Sequence, residues 1–164
     1  MRVVVADANI FFDLIKIEAL SLFFELELEF HTTVLVLDEC RDADRALLDT
    51  FIEDGHLKVA SYTLEKLHEV ERTGKRKGLS PADRSVLFTA KELTGFVLTS
   101  DRAMRLECGE MSIGYHGSLW CVREFHVSGI RTAKEALDLL FALQRVNQWL
   151  PKKELEELIV EFGG

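Results

Sequence analysis

The stretch VVVADANIFFD, residues 3–13, decides the fold. Its three consecutive β-branched residues predict a short strand that is buried on both faces, as in the middle of a parallel sheet. The strand ends on Asp7, and the apolar residues after it recur at helical spacing. A carboxylate therefore stands where a buried strand gives way to a helix, which is the edge where open α/β sheets bind ligands. Taken alone, Asp7 is better explained as a helix N-cap or first-turn acid.

Length and composition favour one globular α/β domain spanning residues 1–164. Hydrophobic residues make up 48% of the chain and charged residues 29%, which is typical of soluble proteins rather than disordered ones. No apolar run is long enough for a membrane span, and the first residues lack a signal-peptide pattern, so we expect a cytoplasmic protein. The formal net charge of −8 argues against binding nucleic acid through a broad basic surface. A polyanionic substrate would have to be met by a metal ion or a small basic patch.

The cysteines indicate a reducing compartment. They are odd in number and share no C-x-x-C spacing, which favours neither a disulfide framework nor a zinc site. We expect three buried free thiols, at Cys40, Cys108 and Cys121.

The first half of the chain predicts alternating helices and strands. A helix is expected over 18–28, although residues 26–30 alternate apolar and acidic side chains and fit a half-exposed strand as well. Residues 32–37 fit either a strand or a helix capped by Thr33. Beyond them we predict helices over 42–54 and 63–73 and a strand over 57–60.

A strong helix start is predicted at residues 80–83. Ser80 fits the N-cap, Pro81 the first helical position and Asp83 the third. This helix is expected to stop at Gly95, and residues 96–99 then predict a second buried strand. Asp101 follows directly and opens another helix, so the arrangement around Asp7 is repeated.

The C-terminal part, about residues 131–164, is predicted to be helical. Before it, residues 112–117 predict a last strand and turn, and Ser118 is expected to cap the next helix. Thr132 begins a capping box for a helix to about Trp149, and Pro151 separates a final amphipathic helix. We find no repeat and no linker that would divide the chain.

Acidic residues recur at the predicted sheet edge. Asp7 and Asp101 each end a buried strand, Asp83 begins a nearby helix, and either Asp38 or Glu39 follows an early apolar segment. Carboxylates that converge in one cleft repel each other unless a cation holds them ionised. Oxygen ligands without His or Cys favour Mg²⁺ or Mn²⁺ over zinc.

Four segments resemble, in order and spacing, the acidic signatures of the PIN-domain nucleases, and most closely the VapC-like toxin group of prokaryotes. The resemblance covers residues 1 to about 130 and implies a three-layer α/β/α sandwich with a central, mostly parallel sheet. It also implies metal-dependent cleavage of RNA, often with a cognate antitoxin that blocks the cleft. The segments are VADANI (5–10), Glu39, GLSPADRSV (78–86) and LTSD (98–101).

By this resemblance Asp7, Glu39, Asp83 and Asp101 are the catalytic and metal-binding acids. Glu39 fits the second position better than Asp38. Two polar residues would support the acids: Asn9 would orient groups beside Asp7, and Ser100 would form a hydrogen bond in the site or cap the next helix.

Several other charged residues have two interpretations. Arg84 and Arg102 each follow an acid and either contact phosphate or stay solvated or paired with nearby acids. The basic loop 74–78, with Lys75, Arg76 and Lys77, is either an exposed linker or a phosphate contact, and Arg105 lies near the same predicted path of an RNA strand. Asp13 lies outside the pattern, and we expect it at the surface.

The sequence therefore predicts a Mg²⁺- or Mn²⁺-dependent endoribonuclease, the toxin of a toxin–antitoxin pair. One alternative is a catalytically inactive PIN-like module that binds a protein. Another is a receiver-like regulator, against which stands the absence of an adjacent acidic pair after the first strand. Residues from Leu119 onward match the family less well, so they could alter partner choice or support a homodimer.

Overall fold

A parallel five-stranded sheet is the centre of the computed structural model, which describes residues 1–164. Every strand pair is parallel, in the order β3-β2-β1-β4-β5. The predicted α/β class is confirmed, and the sheet is wholly rather than mostly parallel. The strands are β1 (Arg2–Ala6), β2 (Leu28–Thr33), β3 (Leu57–Ala60), β4 (Phe96–Leu98) and β5 (Tyr115–His116).

Ten helices connect and cover these strands. The strand order reverses direction at β1, so right-handed crossovers lie on both faces of the sheet and produce three layers. The helices are α1 (Ala8–Lys16), α2 (Leu20–Glu25), α3 (Val34–Leu37), α4 (Asp42–Glu53), α5 (Leu64–Glu71), α6 (Pro81–Leu93), α7 (Arg102–Glu110), α8 (Ser118–Val127), α9 (Ala133–Val146) and α10 (Lys152–Glu161). None of them is long and apolar enough to cross a membrane.

Strand β1 is central, as the valine run predicts. It pairs with β2 on one side and with β4 on the other, and Val4 and Val5 are fully buried. The switch in strand order falls between β1 and β4, and the backbone N–H of Asp7 donates to the carbonyl of Leu98 across it at 2.9 Å. Asp7 thus lies where the connections diverge to opposite faces and leave a crevice.

The two ambiguous segments of the first half have clear outcomes. Helix α2 ends at Glu25, and residues 28–33 form β2, so the predicted helix over 18–28 is too long. The strand prevails because β2 completes the hydrogen-bond ladders of both β1 and β3. At residues 34–37 the helix is correct, and the Thr33 hydroxyl accepts the N–H of Val36 as its cap.

Three predicted boundaries need correction. Helix α6 ends at Leu93, and Thr94, not Gly95, is the residue that stops it, in the left-handed conformation (φ 53°). Ser118 does not cap α8, since Gly117 precedes the helix and Ser118 lies inside it. Helix α9 ends at Val146, because Asn147 is extended, so Trp149 lies in the connection to α10.

Asp13 is the largest error of the sequence prediction. It is only 6% exposed rather than at the surface. Its Oδ2 accepts hydrogen bonds from the Ser118 hydroxyl at 2.6 Å and from the Asn147 side-chain amide at 3.0 Å. The carboxylate stays buried because these donors from α8 and the end of α9 replace water.

The C-terminal helices share the core of the preceding chain. The buried cluster that contains β1 also includes Leu140 and Leu143 of α9, Leu155 of α10 and Phe162, which directly follows α10. The three cysteines are free and buried, as predicted.

Candidate active site

Asp7 is the deepest acid at the carboxyl edge of the sheet. It caps α1, and its Oδ1 accepts the N–H of Ala8 at 2.9 Å, while Oδ2 accepts the hydroxyl of Thr99 at 3.0 Å. Only 4% of the residue is exposed. Burial, with repulsion from Asp83 second, raises the pKa of Asp7 to about 7, against the lowering effect of the two hydrogen bonds.

Thr99 joins two of the predicted acids, and sequence reasoning did not identify it. It is fully buried after β4, and its hydroxyl both donates to Asp7 and accepts the backbone N–H of Asp101 at 3.1 Å. The only sequence signal was its place between a buried strand and Ser100-Asp101. Thr99 fixes the backbone at Asp101 relative to the carboxylate of Asp7.

Asp101 caps α7. Its Oδ1 accepts the N–H of Met104 at 2.9 Å, and the residue is exposed at the rim of the site. The cap therefore belongs to Asp101 and not to Ser100. This geometry leaves Oδ2 of Asp101 without a hydrogen bond from the protein.

Asp83 is held by the predicted capping box at the start of α6. Its Oδ2 accepts the N–H of Ser80 at 2.8 Å, and its own N–H donates to the Ser80 hydroxyl at 3.0 Å. The residue is half-buried. Burial and repulsion from Asp101 raise the pKa of Asp83 above its usual value, although the Ser80 hydrogen bonds and Arg84 oppose the shift.

Glu39 follows α3 and is the least enclosed of the acids with a raised pKa. Burial, and then repulsion from Asp83, raises its pKa. The short helix before it is tied to α6, because Thr33 and Ser85 share a hydrogen bond of 2.7 Å between their hydroxyls. This bond fixes the segment that carries Glu39 beside the helix that carries Asp83.

Electrostatic coupling connects all four predicted acids. Asp7 interacts with Asp83 and Glu39, Glu39 interacts with Asp83, and Asp83 interacts with Asp101. None of them takes part in any of the ion pairs of the structure. The site is therefore a group of acids that no lysine or arginine of the protein pairs with.

The donor set suits a hard divalent cation. The side chains as they stand do not gather three carboxylates close enough to enclose an ion. Mg²⁺, however, commonly keeps several waters and takes only one or two carboxylates directly, so a fully formed cage is not required. The carboxylates repel each other and form no ion pair, which disfavours their ionised state. A divalent cation beside them would favour that state.

The two supporting residues contact each other. Asn9 Oδ1 accepts both the backbone N–H and the hydroxyl of Ser100 at 3.2 Å, which joins the start of α1 to the segment after β4. The pair therefore flanks the contact between Asp7 and Thr99.

The basic loop is less available than its sequence suggests. Arg76 pairs with Glu110 at 2.8 Å and lies 3.6 Å from the buried Glu107, and the backbone N–H of Lys75 donates to Glu107. Arg84 donates to the carbonyls of Thr73 and Gly74 rather than facing solvent. These contacts anchor the loop to α6 and α7. Lys77 stays exposed.

Fold and site together define an α/β protein of nuclease type, with acids at the carboxyl edge of a parallel sheet. A family model described as a PIN domain matches residues 3–164, so the chain belongs to the PIN domain family. PIN domains are generally nucleases that use divalent metals. Comparison with curated proteins finds no match.

Proposed function

We propose that this protein is a Mg²⁺- or Mn²⁺-dependent endoribonuclease in which Asp7, Glu39, Asp83 and Asp101 hold the metal. One observation carries the proposal: four electrostatically coupled acids, of which Asp7 lies at the switch point of the sheet, form no ion pair with a lysine or arginine. Helix capping explains the position of Asp7, of Asp83 and of Asp101 when each is considered alone. It does not explain why all four acids lie together.

The acids differ in what they offer. Asp7 is buried and fixed by two hydrogen bonds, so it would set the position of the ion. Glu39 and Asp101 are exposed and reachable by a phosphodiester. Asp83 couples electrostatically to both and would complete the negative site. A bound divalent cation supplies neutralisation of the charge that develops on phosphate and lowers the pKa of water.

The chain's own groups would do the remaining work. Thr99 would restrain the carboxylate of Asp7 in one orientation. Asn9 and Ser100 brace the adjacent turn. RNA as the substrate, the role of toxin and an antitoxin partner are supported by the resemblance to the VapC-like group. The free buried thiols fit the cytoplasm as its compartment.

The test is cleavage of a mixed pool of structured and unstructured RNAs, with Mn²⁺, Mg²⁺ or EDTA. We expect the wild type to cut RNA only with metal and expect Asp7→Asn and Asp83→Asn to abolish cutting. Asp138→Asn, on the exposed face of α9, is the matched control and should cut normally. A matching DNA pool tests the preference for RNA.

The opposite result would favour the inactive binding module. If the wild type cuts no RNA with either metal, and Mn²⁺ does not raise its melting temperature, the four acids are capping and solvated groups. Cutting that survives both site substitutions would place the activity elsewhere.

A further inference from the structure

Trp149 is the most exposed large apolar side chain apart from the ends of the chain. It is 91% exposed, whereas the second tryptophan, Trp120, is half-buried and stacks on His116 with ring centroids 4.5 Å apart. An indole so fully in water contributes almost nothing to the core. Its position in the connection between α9 and α10 therefore needs another explanation.

The connection that carries Trp149 is held by the buried Asp13. Asp13 accepts the side-chain amide of Asn147 at 3.0 Å, and the amide oxygen of Asn147 accepts the backbone N–H of Trp149 at 2.9 Å. Asp13 lies on α1, the helix that Asp7 caps. The indole is thus displayed from a segment that is bonded to the active-site helix.

Two cavities adjoin Trp149, and both reach supporting residues of the candidate active site. The first, of about 220 Å³, is lined by Trp149 together with Ser100, Arg102 and Arg105. The second, of about 460 Å³, is lined by Trp149 together with Asn9. Because Asn9 and Ser100 contact each other, the indole stands beside the same turn that flanks Asp7 and Asp101.

The first cavity carries net positive charge. Arg102 is exposed and takes part in none of the ion pairs or side-chain hydrogen bonds of the structure, while Arg105 donates to the carbonyl of Thr99 at 3.1 Å. Glu154 is the single acid among the lining residues. The chain has a net charge of −8, so a positively charged cavity next to the acidic site is an exception. Its charge suits a phosphate.

We propose that Trp149, with Arg102 and Arg105, forms a subsite for a single-stranded nucleotide next to the scissile phosphate, with an unpaired base stacked on the indole. The inference rests on the proposed function and adds to it the side chains that would hold an unpaired nucleotide. Stacking on an aromatic side chain accepts any base, while the arginines contact the backbone.

The chemistry of the surface favours this occupant over others. A base in a duplex has both faces stacked and is not available to an exposed indole. A protein partner would be expected to cover a wider apolar area, but only three of the nine residues that line the first cavity and three of the eight that line the second are hydrophobic. An aromatic face beside a free arginine is the combination that binds single strands.

The experiment uses Trp149 as its own reporter. In Trp120→Phe protein, Trp149 is the only tryptophan, and its fluorescence is titrated in EDTA with a short single-stranded RNA, its perfect duplex and an abasic strand of the same length. We expect quenching by the single strand and little by the duplex or the abasic strand. In the wild-type background, Trp149→Ala should weaken single-strand binding about 10- to 100-fold by fluorescence anisotropy.

Conservative variants separate stacking from folding defects. Trp149→Phe should retain most of the affinity, because a phenyl ring still stacks. Arg102→Gln should weaken binding and lower its salt dependence, as expected for one lost phosphate contact. Equal binding by wild type and Trp149→Ala, or equal quenching by the abasic strand, would overturn the subsite. Burial of Trp149 by self-association without RNA would also overturn it.

Failure of the subsite and failure of the proposed function give different results. If RNA is cut with metal and the cutting depends on Asp7, but Trp149→Ala has an unchanged KM, the nuclease stands and the subsite fails. If no metal supports cutting while the single strand still quenches Trp149, the subsite stands and the nuclease fails.

Discussion

The hydroxyl of Thr99 donates a hydrogen bond to Oδ2 of Asp7 over 3.0 Å, at the buried edge between β4 and β1. The two residues are 92 positions apart in the chain. This bond and the N–H of Ala8 are the contacts that favour the ionised form of Asp7, while burial raises its pKa to about 7. Thr99 therefore controls both the orientation and the charge of the deepest acid.

Thr99→Val should lower the rate of RNA cleavage at pH 7 about tenfold, since a hydrogen bond to a charged group is worth about 1.5–3 kcal/mol. Loss of the donor raises the pKa of Asp7 further, so the acid limb of the pH–rate profile should move to higher pH. Thr99→Ser keeps the hydroxyl and should preserve both rate and profile. An unchanged profile in Thr99→Val would mean that the bond has no role in ionisation.

Asp7→Asn should stabilise the metal-free protein while abolishing cleavage. The folded-state pKa of about 7 lies above the ordinary value of 3.8, so the folded chain retains a proton that the unfolded chain has released between these values. The contribution of Asp7 to the free energy of unfolding is therefore most favourable below pH 3.8, and this advantage is lost as the pH rises through about 7.

At pH 8 in EDTA, the free energy of unfolding of Asp7→Asn should exceed that of the wild type by on the order of 4 kcal/mol. At pH 5 the difference in free energy of unfolding between Asp7→Asn and the wild type should be smaller. Asn also caps helices well, so the cap of α1 is retained. Urea denaturation at the two pH values measures the difference. A variant that is less stable than the wild type at pH 8 would contradict the raised pKa.

Divalent metal should stabilise the protein more at pH 8 than at pH 5.5. The raised pKa values of Asp7, Glu39 and Asp83 mean that protons compete with metal at the lower pH. At saturating Mn²⁺ we expect the melting temperature to rise by about 5 °C at pH 8. Asp83→Asn should lose the shift and Asp138→Asn should keep it. A shift independent of pH would indicate binding outside the acidic site.

Asp13→Ala should destabilise the protein by about 3 kcal/mol, because Ser118 and Asn147 would lose their shared buried acceptor. Ser118→Ala removes only one donor and should cost less. Asp13→Asn retains an acceptor oxygen and should be intermediate. Denaturant midpoints of the three variants provide the test, and a fully stable Asp13→Ala would show that the contacts contribute nothing.

The elements that the sequence predicts well are those with local causes. The three valines before Asp7 need only a buried strand, and Ser80, Pro81 and Asp83 satisfy each other within one turn of α6. In the same way, Asp101 follows a short apolar strand and caps the helix after it. These signals placed three of the four acids at element ends before any tertiary contact was known.

The errors involve partners that are distant in sequence. Asp13 lies outside the acidic pattern, and its two donors lie 105 and 134 residues away, so no local signal predicts its burial. The position of Thr99 after a buried strand does not predict its role, since that role depends on a neighbouring strand. Residues 34–37 are too few for periodicity to decide between strand and helix, and the Thr33 cap decides it in the structure. Glu39 fits the second acidic position of the family better than Asp38, because Leu35 and Val36 would then face the core.

Single-turnover cleavage of one mapped RNA site tests whether the four acids form one catalytic metal site. The rate is compared for wild type, Asp7→Asn, Asp83→Asn, the double variant and Asp138→Asn in Mn²⁺. We predict a loss of about 100-fold or more for each single site variant and little further loss in the double, because the acids act as a unit. Wild-type rates in both single variants would contradict the account.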